Sequence, residues 1–274
     1  MVFTHGAGGT LNSPAVSNFA AGFSSESPLL CFQGPMNLPS RVKMFKTVID
    51  HQGKGACALG GRSMGARAAI LALSSEEYEE IKALILVSYP LHTGKDVRDQ
   101  ILLDLDEDIV VLFVIGSRDS MCDISRLNKV RKKMKAESWL VTVEEASHGM
   151  ELAGKAKKGT IDVAKFSGAV VAEWLQEDAA GRKHGHGREG RIWWDQQAND
   201  GAGQVMWSGW VKDAQDGNVG DSGKEDAENI EETSRTKRKR RPTKSEENLD
   251  TRSEVQGNQS TRSASKVRKT RTKI

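Results

Sequence analysis

Ala56-Cys57-Ala58-Leu59-Gly60-Gly61-Arg62-Ser63-Met64-Gly65-Ala66-Arg67-Ala68-Ala69-Ile70-Leu71-Ala72-Leu73 passes from a short apolar run, through glycines, into an alanine-rich segment. The run Ala56 to Leu59 predicts a strand, and Met64 to Leu73 predicts a helix. Between them Gly61-Arg62-Ser63-Met64-Gly65 has the form G-x-S-x-G. This is the sharp turn that lifts a serine hydroxyl above the end of a sheet, with glycines where a Cβ would clash. In a chain with 27 glycines the pentapeptide alone is a weak signal. Its place between a strand and a helix is what gives it weight.

The same alternation extends in both directions. Further strands are predicted over Met1 to Thr4, Leu29 to Phe32, Ala83 to Val87, Ile109 to Ile115 and Trp139 to Val143. Most are continuous apolar runs, as expected of strands buried on both faces. Helices are predicted over Pro14 to Gly22 with Ser13 as cap, Arg41 to His51, Ile124 to Met134 with Asp123 as cap, and Ile161 to Leu175. Strand and helix in alternation imply an α/β fold, a doubly wound, mostly parallel sheet with right-handed crossovers, spanning residues 1–177.

The full chain has 274 residues with 40 Lys+Arg and 37 Asp+Glu. The charge is unevenly spread: residues 1–177 carry 20 bases and 21 acids, and residues 178–274 carry 20 and 16. The second segment holds only 10 Val, Ile, Leu, Phe and Met in 97 positions, too few to offset its ordering entropy, so a disordered tail is expected over 178–274. No apolar run approaches the ~20 residues of a membrane span, and no signal-peptide layout follows Met1. A soluble protein with no membrane partner is the expectation. Cys31, Cys57 and Cys122 are too scattered for a disulfide framework or a C-x-x-C metal site, and Cys31 and Cys57 read as buried thiols.

In a doubly wound sheet, functional groups gather beyond the carboxyl ends of the strands. The polar residues there are His5-Gly6-Ala7-Gly8-Gly9, Gly61 to Gly65, Ser88-Tyr89-Pro90, Ser117-Arg118-Asp119 and Ser147-His148-Gly149. A serine hydroxyl needs a base, and the base needs a group that fixes its tautomer. Ser63, Asp119 and His148 fall at the right end of the sheet and in the order Ser, acid, His, so they are the expected catalytic residues. Asp119 also reads as a turn or cap residue, and His148 as a loop histidine. An oxyanion would be held by Met64 N–H, at a helix N-terminus, and by the first loop, where Ala7 or Gly8 offers the second donor. Arg62 and Arg67, beside the serine, either bind an anionic substrate group or pair with carboxylates such as Asp123. The glycine loop lacks the Walker and G-x-G-x-x-G spacings, and no cofactor or metal is expected.

Taken together, His5 to Gly9, Gly61 to Arg67, Ser88-Tyr89-Pro90-Leu91-His92 with Gly94-Lys95, Gly116 to Asp119 and Ser147 to Gly149 resemble one family. It is the α/β-hydrolase-like family named for a testis-expressed protein and for the third regulatory subunit of the NSL histone acetyltransferase complex, relatives of the dienelactone hydrolases. The resemblance covers nearly all of Met1 to Leu175 and implies an α/β-hydrolase fold with Ser63, Asp119 and His148 in the catalytic positions. The five loops at one end of the sheet point to a serine hydrolase acting on an ester or related acyl bond of a small substrate, whereas the chromatin-complex branch of the family points to a non-catalytic interaction module. Three features depart from relatives. The usual preceding β-hairpin is missing before Met1, Ser120-Met121-Cys122 replaces an apolar turn after the acid, and only 18 residues separate Pro90 from Ile109. That short connection leaves little room for a lid.

Beyond residue 178, Lys212 to Glu232 carries 8 acids and 2 bases, and Arg235 to Lys244 carries 7 bases and no acid. Lys237-Arg238-Lys239-Arg240-Arg241-Pro242 reads as a nuclear-localisation cluster, with nucleic-acid contact as the competing reading. A cytoplasmic or nuclear protein with a protein-complex partner on its tail follows. Trp193, Trp194, Trp207 and Trp210 are out of character there, and read as partner anchors or as mis-spliced sequence.

Overall fold

The computed structural model describes residues 1–74, 78–94, 96–154, 157–177 and 188–211. The expectations for 178–187 and 212–274, the basic cluster Lys237 to Pro242 among them, and for Lys95 lie outside the described residues.

In chain order the elements are β1 (Val2–Thr4), α1 (Pro14–Ser24), β2 (Leu30–Phe32), α2 (Leu38–Gln52), β3 (Ala58–Arg62), α3 (Met64–Leu73), β4 (Ala83–Val87), β5 (His92–Thr93), β6 (Asp96–Val97) and α4 (Gln100–Leu103). There follow β7 (Val110–Gly116), α5 (Ile124–Arg131), β8 (Glu137–Val143), α6 (Lys157–Gln176), β9 (Glu189–Asp195) and β10 (Gln204–Trp207). Eight strands form one sheet in the order β10-β9-β8-β7-β4-β3-β1-β2, parallel throughout except where β10 runs against β9. The chain steps outward from β1 to β2 and returns to lay β3 on the other side of β1. The order therefore reverses between β1 and β3, and a crevice opens beyond their carboxyl ends.

Alternation within each strand divides the core. Val111, Phe113 and Ile115 of β7 face Phe45 and Ile49 of α2, Ile70 of α3 and Leu127 of α5. Leu112 and Val114 face the opposite layer, built on Phe19 and Phe23 of α1 and Val170, Val171 and Trp174 of α6. Asp123 caps α5 by accepting the Arg126 N–H at 2.8 Å. Ser13 precedes α1 but its side chain makes no capping bond, whereas Asn37 caps α2 by accepting from Ser40 N–H at 3.1 Å.

Two sequence expectations require correction. The tail does not begin at residue 178 in the sense expected, because residues 189–207 add β9 and β10 to the sheet. Aromatic carbon supplies the burial that the count of aliphatics missed: Trp194 is buried among the side chains of the α1–α6 layer, and Trp207 meets Trp210 edge-on at 5.4 Å. Cys57, expected to be buried, is exposed, and Cys31 is half-buried. Among the described residues no helix is long and apolar enough to cross a membrane.

Candidate active site

The turn from β3 into α3 sets the geometry. Ser63 has φ 53° and ψ −116°, a backbone conformation that costs a non-glycine residue energy. It is held there by its N–H donating to the Val87 carbonyl at 2.9 Å. The flanking glycines are obligatory. A Cβ on Gly61 would stand 2.3 Å from the Gly65 carbonyl carbon, and one on Gly65 would stand 2.6 Å from the His5 carbonyl oxygen.

Onto this turn converge the loops after β7 and β8. The structure brings together the three residues that the sequence separates by 85 and 29 positions: Ser63 Oγ lies 3.0 Å from His148 Nε2, and His148 Nδ1 lies 2.9 Å from both Asp119 carboxylate oxygens. The Asp119 side chain has no exposed surface, and that of His148 is 20 % exposed. A carboxylate only accepts, so Nδ1 carries the ring proton and Nε2 offers its lone pair to the hydroxyl. Ser120-Met121-Cys122, the unusual turn, serves the acid: Met121 N–H donates to Asp119 Oδ1 at 2.8 Å. Cys122 is no competing nucleophile, since burial and then the Asp119 charge push its thiol up to about 12.

The loop after β1 borders the same turn, for a Cβ on Gly6 would lie 3.3 Å from Ser63 Cβ. Ala7 follows, exposed, and Met64 opens α3 directly after the serine. Beneath the loop lie two buried groups, His5, read from the sequence only as part of the loop, and Arg41, to which the sequence reading assigned no role. His5 Nε2 accepts from Gly34 N–H at 3.2 Å, and its Nδ1 lies 2.8 Å from the Gly6 carbonyl oxygen. Arg41, fully buried, donates from Nη1 to the His5 carbonyl at 2.6 Å and to Thr4 Oγ1 at 3.2 Å, from Nη2 to the Gly34 carbonyl at 2.9 Å and from Nε to the Pro35 carbonyl at 2.8 Å. Burial lowers the affinity of both groups for a proton.

Arg62 and Arg67 do not pair with Asp123, whose carboxylate caps α5. Arg62 Nη2 donates to the His148 carbonyl at 2.5 Å. Burial lowers the Arg62 pKa, and the charges of Asp119 and then Glu151 oppose that. Arg67 has its Nε buried without a hydrogen-bond partner among the described residues. A cavity of about 350 Å³ lies beside Arg62, walled by Gly8, Gly9, Ser13, Gly149 and Glu151. His92 accepts the Asp123 N–H at 3.2 Å and so joins the β5–β6 hairpin to α5.

A parallel sheet with helices on both faces, a serine on a strained strand-to-helix turn, and an imidazole and a carboxylate behind it define an α/β-hydrolase architecture. The chain belongs to the family described as an alpha/beta hydrolase domain, whose model matches residues 1–176. Among solved structures it is similar to the esterase domain of a Rhodothermus marinus protein, with 16% identity, TM-score 0.48, and coverage of 63% of this chain and 84% of that one. It is also similar to Est1E from Butyrivibrio proteoclasticus, with 17% identity, TM-score 0.47 and coverage of 64% and 86%. A third is an alpha-beta serine hydrolase homologue from Coxiella burnetii, with 16% identity, TM-score 0.45 and coverage of 64% and 81%.

Proposed function

We propose that the protein is a serine hydrolase that cleaves an ester or related acyl bond of a small substrate. The observation that carries this reading is the unbroken hydrogen-bond chain from the Ser63 hydroxyl through His148 to the buried Asp119. In this reading Ser63 Oγ attacks the acyl carbon while His148 Nε2 takes its proton. Ala7 and Met64 N–H hold the developing oxyanion, and Asp119 stabilises the imidazolium. His148 then returns the proton to the leaving group, and water repeats the sequence on the acyl-enzyme. Arg62 is engaged by the His148 carbonyl, so contact with an anionic substituent of the substrate falls to Arg67. Among the described residues, the segment between Pro90 and Ile109 forms only the short β5–β6 hairpin and the one-turn α4, which suits a small or extended substrate. Within the family, Tyr89-Pro90-Leu91-His92 with Gly94-Lys95 supports the narrower reading that this chain is a relative of the proteins named for the testis-expressed protein and for the third regulatory subunit of the NSL histone acetyltransferase complex.

A fluorophosphonate probe tests the proposal. The wild-type protein is expected to be labelled at one site, and Ser63→Ala to lose the label together with hydrolysis of p-nitrophenyl acetate. A folded wild-type protein that takes no label overturns it.

A further inference from the structure

The glycine loop beside Ser63 is held from inside by His5 and Arg41, whose side-chain hydrogen bonds among the described residues go to neither Ser63 nor His148. We infer that His5, locked between Gly34 and Gly6 and braced by Arg41, is a positioning residue that polarises the Ala7 N–H toward the substrate's acyl oxygen. This rests on the reading of Ala7 as an oxyanion donor.

Gly34 N–H can only donate, and it meets His5 Nε2 at 3.2 Å, so the ring proton sits on Nδ1. Nδ1–H then donates to the Gly6 carbonyl oxygen at 2.8 Å. That oxygen and the Ala7 N–H belong to one peptide unit. A hydrogen bond accepted at the oxygen draws electron density from the nitrogen and strengthens the N–H as a donor, the mutual polarisation seen in hydrogen-bond chains. Arg41 acts one peptide earlier, where Nη1 donates to the His5 carbonyl, the unit that carries the Gly6 N–H.

A guanidinium buried with no carboxylate beside it is expensive. Among the described residues Arg41 forms no ion pair, and its bonds go to Thr4 and His5 on one side and to Gly34 and Pro35 on the other. It therefore fixes the spacing across which His5 reaches. Burial, and after it the Arg41 charge, keep the imidazole neutral, which preserves the Nε2 acceptor at neutral pH. A residue needed only to fill space would require neither the tautomer nor the cation.

The test uses the full chain and p-nitrophenyl acetate. Asn places its amide nitrogen where a histidine has Nδ1, and Gln places its amide where a histidine has Nε2. His5→Gln is expected to lower kcat about 10-fold or more with KM little changed, short of the ~10²–10³ lost when an oxyanion donor is removed outright. His5→Asn, which keeps a donor toward Gly6, is expected to retain most of kcat. A His5→Gln kcat within about threefold of wild type, or equal losses in both variants, overturns the inference. Should His5→Gln fail to fold, nitrogen NMR of the wild-type imidazoles decides. A neutral His5 protonated on Nδ1 supports it, and one protonated on Nε2 overturns it. Loss of fluorophosphonate labelling in the wild type would sink the hydrolase reading instead, so the two failures are distinct.

Discussion

A carboxylate with no exposed side-chain surface, facing Nδ1 with both oxygens, fixes which nitrogen of His148 is free to accept. Asp119→Asn would keep the shape while letting the ring turn to its other tautomer. It is expected to cost about 10³–10⁴ in kcat toward p-nitrophenyl acetate with the melting temperature little changed. His5 gives a second, thermodynamic expectation. Its folded pKa lies below the ordinary 6.5, because of burial first and then, against its backbone partners, the Arg41 charge. The unfolded chain therefore binds a proton near pH 6.5 that the native state still refuses. Its contribution to stability is whole above that pH and falls away as pH drops through 6.5 toward the folded value. Urea unfolding from about pH 7.5 to about pH 5.5 should show a steeper loss for wild type than for His5→Asn. Ser63 was legible in the sequence from its G-x-S-x-G turn between strand and helix, and Asp119 and His148 from their places, in that order, in the loops that follow the apolar strands β7 and β8. Arg41 was not, since a cation near a helix start reads as solvated. The signal was its place on the stripe Arg41, Phe45, Ile49, which is the buried face of α2.

Elements of continuous apolar sequence read correctly: β4 and α3 have the bounds that their composition implied. What escaped was β9 and β10, because a polar, glycine-rich segment hides strands whose burial rests on tryptophan, and because averaging over 97 residues dilutes them. Close helix packing was equally silent. Where α1 crosses α6, a Cβ on Gly22 would lie 1.7 Å from the Lys165 carbonyl oxygen, and one on Gly168 would lie 2.1 Å from that of Phe19. Backbone, not a flexible side chain, fills both positions. Gly22→Ala must push the two helices apart, with an expected loss of about 1–3 kcal/mol in denaturant unfolding and little change in kcat, since neither helix supplies a group of the Ser63 chain. At α5 the expectation is milder: Asp123→Ala removes one capping acceptor and should cost about 1 kcal/mol.

For the whole molecule, the division between chemistry and support runs along the chain. Every residue of the Ser63 site lies before residue 177, yet the sheet that carries the site closes with residues that follow it. Ile192 is fully buried and Trp194 nearly so, both in the layer that α6 covers, and Arg131 reaches from α5 to Glu189 at 2.5 Å. Two such side chains are worth roughly 1.5–3 kcal/mol each, about 3–6 kcal/mol together, a large share of the ~5–15 kcal/mol by which a domain is stable. A chain ending at Glu177 is therefore expected to melt about 10 °C or more below the full protein. A chain ending at Val211 keeps every contact described for β9 and β10 and should melt with the full protein. Fluorophosphonate labelling at low temperature separates the two roles: the shorter chain should still be labelled at Ser63 while it remains folded. Equal melting temperatures for the two shortened chains would mean that β9 and β10 add nothing to the domain, and that the buried tryptophan is not part of its core.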